Sequence, residues 1–302
     1  MAKTNFKTSH KYATLSFDIE DWFQVESMKS KFPFETWEDQ ELRVENNTQL
    51  ILKLLRRHDV KGTFFILGWI ADKVPELIRQ IHQEGHEIAS HGYDHKLNYK
   101  MSSEELYEDL KKSKKLLEKI TGDTVLGYRA PTFSITDAAV DALIDIGYKY
   151  DSSWNKFANH DRYGKLESVE IEKTGSEAIY ILNKKLTELC LPVESLFSKT
   201  IPIAGGGFFR LYPLWFTKMM VRKYFEKKEY YMFYSHPWEF DKSQPRIHDL
   251  ELSNRVRHYI NLDNNADKTD AFIKFLKEMN VTFVTAGDYI RQSFKPRSKE
   301  GG

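Results

Sequence analysis

Apolar and polar residues alternate from Tyr12 to Phe17, and the alternation stops at an acidic cluster, Asp18-Ile19-Glu20-Asp21. A repeat of two marks a strand with one buried face, so this first element ends on three carboxylates. Leu50, Ile51, Leu54 and Leu55 then fall at helical spacing, and Asn46-Asn47 ahead of them can cap a helix through Arg57. Gly62 to Gly68 encloses an apolar run and reads as a buried strand bounded by glycines. Pro75 to Glu84 reads as a helix with proline in its first turn and Gly85 as its stop. Glu87-Ile88-Ala89-Ser90 is a short strand that halts at His91-Gly92. Ser102 to Ile120 is a long amphipathic helix opened by a capping box from Ser102 to Glu105.

The rhythm continues with a strand at Val125–Tyr128, running into Arg129-Ala130-Pro131, and a helix at Asp137–Ile146 closed by Gly147. Tyr148–Asp151 is a further short strand. From Asn155 to Phe209 the pattern loosens into β-like and turn segments, among them Ile179–Leu182, Leu186–Leu191 and Ile201–Ala204. Tyr212–Phe225 is helical, Tyr230–Ser235 a strand, Ala266–Met279 a helix and Val281–Thr285 a last strand. The tail from Ser293 is charged and ends in glycines, which predicts disorder. No repeat and no Pro-, Gly- or Ser-rich linker divides the chain, so residues 1–292 read as one domain and 293–302 as a tail.

Strand–helix alternation of this kind favours a parallel barrel or a doubly wound sheet. The residues with chemistry all follow expected strands: Asp18, Glu20 and Asp21; His91 and His95; Arg129; Asp151 and Trp154; His236. In a (β/α) barrel those strand ends meet on one face, whereas an open sheet gathers only the ends near its switch point. The expected fold is an α/β, distorted (β/α) barrel of about seven parallel strands, with β-like insertions in the C-terminal half.

His91 and His95 stand four apart, a spacing that brings two imidazoles to one side of a turn. Two neutral imidazoles meeting at one point suit a divalent metal, most often zinc, and lack only an oxygen ligand. Charge adds an exclusion: 45 Lys and Arg against 44 Asp and Glu give no reason to expect a polyanionic partner such as nucleic acid. The single cysteine, Cys190, rules out an intramolecular disulfide, suits a reducing compartment, and sits in an apolar run as an inert thiol would. Met1 to Lys11 has no apolar core of signal-peptide length, and no stretch approaches the roughly 18 apolar residues of a membrane span. A soluble, cytoplasmic protein is expected. Aromatics make up 14% of the chain and flank the candidate site, as sugar stacking would need, although aromatics are core material first.

Four motifs occur in order: Phe17-Asp18-Ile19-Glu20-Asp21, Ser90-His91-Gly92-Tyr93-Asp94-His95, Gly127-Tyr128-Arg129-Ala130-Pro131 and Tyr234-Ser235-His236-Pro237-Trp238-Glu239. Together they resemble the ordered motifs of the polysaccharide deacetylase family, the NodB-homology or carbohydrate esterase 4 group. The similarity is to the branch with an Asp-x-Glu-Asp first motif and a distinct C-terminal extension, of which Gly205-Gly206-Gly207-Phe208-Phe209-Arg210-Leu211-Tyr212-Pro213 resembles a segment.

That resemblance implies a metal-dependent hydrolase that removes acetyl from an N-acetylated amino sugar of a polysaccharide, oligosaccharide or glycan precursor. His91 and His95 match its metal-binding histidines, and Asp18 its base. Ile19 stands where many members carry a second Asp, so the remaining ligand is Glu20 or Asp21. An extended loop favours Glu20, which shares a side with Asp18, and a bulge favours Asp21. Arg129 matches an arginine that grips and orients the base carboxylate, and His236 the general acid. Pro131 would rigidify its turn and Phe133 line the pocket. Trp154 would wall the acetyl pocket, or be a plain core residue. Tyr234 replaces a usual leucine at the methyl pocket, and Trp238 would extend the sugar platform. Arg210, in a glycine-rich segment with the form of a substrate-capping loop, would contact a phosphate or sugar hydroxyl, or form a structural ion pair. His10, His58, His82, His86, His160, His248 and His258 read as surface or core residues without a role. An allantoinase-like hydrolase of cyclic amides and a catalytically silent glycan-binding protein are the alternatives. The particular sugar and the oligomeric state stay open.

Overall fold

Strand β1 (Tyr12–Ile19) runs through the middle of the main sheet, and every residue after Tyr12 is buried. β11 (Tyr230–Ser235) lies along one edge of it, Tyr12 opposite Tyr230 and Phe17 opposite Ser235. β2 (Thr63–Ile66) takes the other edge, and β12 (Thr282–Phe283) pairs with β1 at Tyr12 and Ala13. The sheet continues through β3 (Glu87–Ser90), β4 (Gly127–Tyr128) and β5 (Tyr150–Asp151) to β8 (Leu186–Leu189), every pair parallel. Beyond β8, β7 (Ile179–Leu182) and β6 (Ile171–Lys173) finish it antiparallel. The computed structural model describes residues 10–155 and 163–294. His160 and all of the expected tail beyond Phe294 lie outside them.

Closure is where expectation and structure part. The sheet is mixed and open, its two edges being β6 and β11, so it is not a complete barrel, and the chain between β8 and β11 does not close it. The intervening chain forms a hairpin of its own, β9 (Val193–Leu196) with β10 (Lys199–Pro202), whose ladder satisfies itself instead of bridging the gap. The exit from β10 does hydrogen-bond to β11: the Tyr234 amide donates to Ala204 O at 2.8 Å and the Tyr231 hydroxyl to Ile203 O at 2.6 Å.

Ten helices, among the described residues, surround the sheet: α1 (Val44–His58), α2 (Gly68–Lys73), α3 (Pro75–Gln83), α4 (Ser103–Thr121), α5 (Asp137–Ile146), α6 (Gly206–Leu211), α7 (Leu214–Phe225), α8 (Leu252–Tyr259), α9 (Asn265–Glu278) and α10 (Ala286–Ser293). The strongest local signals hold. Ser102 and Glu105 make both capping-box bonds at the start of α4, and α5 stops at Gly147 with φ 92°. α1 begins earlier than the asparagine pair suggests. Its first amides, Arg43 and Val44, donate to the Asp21 carboxylate at 2.6 and 2.8 Å, a cap supplied from a distant loop. The glycine-rich segment is not a loop but helix α6. Gly205 adopts φ 145°, and a Cβ there would sit 1.9 Å from Tyr234 O, so only glycine lets the chain pass this close to β11. Helices α2, α6, α8 and α10, and strands β6 and β9, are not among the elements expected from the sequence. The core packs β1, β2 and β11 against α9, with Phe17, Phe64, Phe233 and Phe272 fully buried. Each contributes about 1.5–3 kcal/mol by leaving water.

Candidate metal and catalytic centre

Register carries the site. Ile19 pairs with Ile66, Ile66 with Ser90, and Ser90 with Tyr128. The next residues on three of these strands, Glu20, His91 and Arg129, therefore emerge at one level. Phe17 pairs with Ser235, which brings Asp18 and His236 to that level from the other side.

Ligand atoms of Glu20, His91 and His95 lie within 4.8 Å of one another, and all three residues are buried. The His91 Nδ1–H donates to Arg129 O at 2.8 Å, which leaves Nε2 as the lone-pair nitrogen. Burial lowers His91 to about 4, despite the pull of Asp18 and Glu20, so it stays neutral as a ligand must. His95 closes the loop with φ 55°, a left-handed backbone unusual for a side chain of this size. Glu20 Oε2 stands 2.8 Å from His95 Nε2, yet it is a buried oxygen without a hydrogen bond. Two nitrogens and an orphaned carboxylate oxygen converging in this way fit a divalent cation with open positions. Burial would raise the Glu20 carboxyl, but His95, His236 and His91 outweigh it and hold it at about 2.

Asp18 sits beside this group. Arg129 Nη1 donates to its Oδ1 at 2.6 Å and to Ser16 Oγ at 3.0 Å. Ser152 O and Oγ take Arg129 Nε and Nη2, each at 3.1 Å, and the guanidinium lies 4.0 Å over the Phe65 ring. Arg129 is therefore locked, and Asp18 Oδ2 remains open toward His236 Nε2 at 3.8 Å.

His236 forms the opposite side, with Nε2 3.5 Å from Glu20 Oε1. Behind it, Glu239 Oε1 lies 3.5 Å from His236 Nδ1 and accepts from Arg210 Nε at 3.1 Å. Burial would lower His236, but Glu20, Glu239 and Asp18 push it up to about 9. Glu239 in turn is held at about 2, Arg210 and His236 overcoming its burial. The Trp238 indole N–H donates to Glu20 Oε1 at 3.2 Å, which turns the other oxygen toward the histidines. Its ring stacks on His258 at 4.3 Å and on His236 at 5.3 Å.

These groups line a cavity of about 380 Å³ together with Phe133, Tyr234, Phe208, Leu211, Val256 and His258. Several expected residues land elsewhere. Asp21 faces away from the ion group, its carboxylate spent on the amides of Trp22, Arg43 and Val44. Arg210 lines the cavity and forms the structural ion pair with Glu239, its other donors going to the carbonyls of Arg257, His258 and Ile260. Trp154 packs edge-on against Tyr180 of β7 at 5.2 Å and is not among the described residues that line the cavity. Pro131 backs the histidine loop, 3.8 Å from where a Gly92 Cβ would stand. Trp238, 6% exposed, lines the cavity while stacking on two imidazoles. Phe133 and Tyr234 do line the cavity, in edge-on contact at 5.2 Å. Glu239 and His258 went unassigned on the sequence. Glu239 carried a local signal, three residues after His236 across Pro237, whereas His258 carried none.

A buried two-histidine, one-carboxylate group that could hold a metal ion is flanked by an arginine-held aspartate and a carboxylate-backed histidine. Residues 7–150 match the family model described as polysaccharide deacetylase, and residues 152–290 one described as a domain of unknown function, DUF3473. Residues 7–150 therefore form a polysaccharide deacetylase domain, and the DUF3473 region follows it as a C-terminal extension. Strands from both regions join in one sheet. A peptidoglycan-N-acetylglucosamine deacetylase of Bacillus cereus is 34% identical over 102 residues, covering 34% of this chain and 47% of the relative. The chain spans about half or less of the length of the curated relatives it matches. In fold it resembles a candidate polysaccharide deacetylase from Mycobacterium smegmatis, TM-score 0.59 at 18% identity over 100% of this chain and 98% of that one. A family 4 acetyl xylan esterase from Clostridium thermocellum, solved with a cobalt ion, aligns with TM-score 0.53 at 15% identity, covering 95% of this chain and 93% of the other.

Proposed function

We propose that the protein is a metal-dependent deacetylase that hydrolyses the N-acetyl group of an amino sugar in a glycan or glycan precursor, with zinc as its metal. The observation that carries this reading is the placement of Asp18 and His236 on either side of the Glu20, His91 and His95 group inside one cavity. Glu20, His91 and His95 would hold the ion, and Asp21 would not. Bound there, a divalent ion supplies Lewis acidity to an amide carbonyl and to water, the help an unreactive amide requires. Asp18, with one oxygen anchored by Arg129, takes the proton from the attacking water through its free oxygen. His236, protonated at neutral pH, delivers a proton to the departing amine. Glu239 sits behind Nδ1 and holds the ring with Nε2 facing the cavity. Phe133 and Tyr234 offer apolar surface for the acetyl methyl and the sugar face. The names of the Bacillus and Clostridium proteins support the same class of substrate, an acetylated sugar.

The test is release of acetate from N-acetylglucosamine oligomers by protein stripped of metal and reloaded with zinc. Zinc-dependent acetate, absent in His91→Ala, is the expected result. Turnover of allantoin without acetate would reassign the chemistry to cyclic amides, and saccharide binding without turnover would make the protein a silent binder.

A further inference from the structure

From Ser195 to Phe225 the chain contains no aspartate or glutamate, yet it holds Lys199, Arg210, Lys218, Arg222 and Lys223. This stretch runs from the β9–β10 hairpin through α6 and α7. It also carries four exposed apolar side chains: Phe197 at the hairpin tip, 92% exposed, with Trp215 at 68%, Leu211 at 51% and Met219 at 43%. Scattered apolar residues are normal on a surface, but these are ordered. Trp215, Lys218, Met219 and Arg222 follow the i, i+3, i+4, i+7 spacing of a single helix face. The other face of α7 buries Met220, Val221, Tyr224 and Phe225 in the core. Lys223 ties the hairpin to α7, bonding Ser195 O and pairing with Glu194 at 3.4 Å.

A face that mixes tryptophan, methionine and phenylalanine with cations, and meets its first acid only at Glu226 where α7 ends, matches elements that lie in the plane of a bilayer interface. Overall charge is only +1, so attraction to an anionic surface comes from this face and not from the molecule as a whole. A second copy of the chain is the poorer occupant, because a two-fold contact would bring Lys218 and Arg222 of both copies together with only the terminal Glu226 of each to offset them. No helix among the described residues is long and apolar enough to cross a membrane, so the contact is peripheral. The face also borders the site: Phe208 and Leu211 belong both to this stretch and to the cavity wall.

We propose that this face seats the protein on an anionic lipid surface, with Phe197, Trp215 and Met219 entering the interface, so that the cavity mouth meets sugars carried on that surface. The seating stands on its own; the sugar rests on the deacetylase reading above.

The full chain is mixed with vesicles of phosphatidylglycerol and phosphatidylcholine, or of phosphatidylcholine alone, and sedimented. The same samples are assayed for acetate from water-soluble N-acetylglucosamine oligomers. Binding is expected to the mixed vesicles alone and to weaken with added salt. Trp215→Ala with Phe197→Ser weakens it about tenfold or more, and Lys218→Glu with Arg222→Glu weakens it about fivefold per cation removed. None of the four residues lines the cavity, so acetate release from the water-soluble oligomers stays unchanged. The proposal is overturned if wild-type protein stays in the supernatant with mixed vesicles or binds pure phosphatidylcholine equally well. Either double variant binding like wild type, or a Trp215-dependent dimer in place of vesicle binding, overturns it too. Vesicle binding without any acetate release leaves the seating intact and removes the deacetylase reading instead.

Discussion

The two walls of the cavity are built on different principles. The first, from the N-terminal half, holds Asp18, Glu20, His91 and Arg129 at or next to the ends of three strands, β1, β3 and β4, and their alignment follows from ladder register. The second, from the C-terminal half, hangs His236, Glu239, Trp238 and His258 on the short turn Pro237–Phe240 and on α8, held by a fully buried Arg210–Glu239 pair. Register places side chains without placing charge, so the first wall can set Glu20 Oε2 beside His95 and His91 where an ion would be held. In the second wall the ladder sets only His236, next after the Phe17–Ser235 pair, and charge and stacking hold Glu239, Trp238 and His258. Chemistry and stability are therefore separable in one wall and coupled in the other.

The largest effect tests that separation in the first wall. His91→Ala with His95→Ala should empty the metal site and reduce acetate release to background, with the fold and melting temperature of the metal-free protein little changed. Elemental analysis and circular dichroism check it, and stoichiometric zinc retained by the double variant would refute the assignment. Next, Asp18→Asn and His236→Ala should each lower turnover by about 10²–10⁴, the share of one positioned acid or base. Only His236→Ala should lose the alkaline limb of the pH–rate profile while keeping its metal. An unchanged alkaline limb would show that another group is the acid.

The coupled wall should fail differently. Glu239→Ala leaves Arg210 buried and unpaired, and urea unfolding should show a loss of about 3–5 kcal/mol. Such a loss from Glu239 but not from the metal ligands is the sharpest contrast between the walls. The pH dependence of the metal-free protein has two edges. Glu239 is depressed from 4.5 to about 2, so its contribution is present above 4.5 and lost as pH falls toward 2. His236 is raised from 6.5 to about 9, so its contribution is complete below 6.5 and lost as pH rises through 9. Melting temperatures across that range should flatten at the alkaline edge in His236→Ala. The smallest effect separates two neighbours: Asp21→Ala should cost about 0.5–2 kcal/mol, the usual worth of a helix cap, with zinc retained, whereas Glu20→Ala should lose the zinc. Equal metal loss in both would undo the distinction.

What the sequence alone determined is everything that depends on neighbours a few positions apart. Helix α5 and its glycine stop, the capping box of α4, strand β11 and the four ordered motifs were legible because periodicity and caps are local interactions. The histidine pair belongs with them, four residues apart on one tight loop. What only the tertiary structure decided depends on partners far away in the chain. Glu20 rather than Asp21 joins the histidines because Asp21 is captured by the start of α1 and Trp238 turns Glu20 from 218 positions away. Arg210 read equally well as a substrate contact or an ion pair until Glu239 and three carbonyls surrounded it. The open sheet follows from a hairpin that pairs with itself, since alternation shows that a segment is a strand and says nothing about which edge it will find.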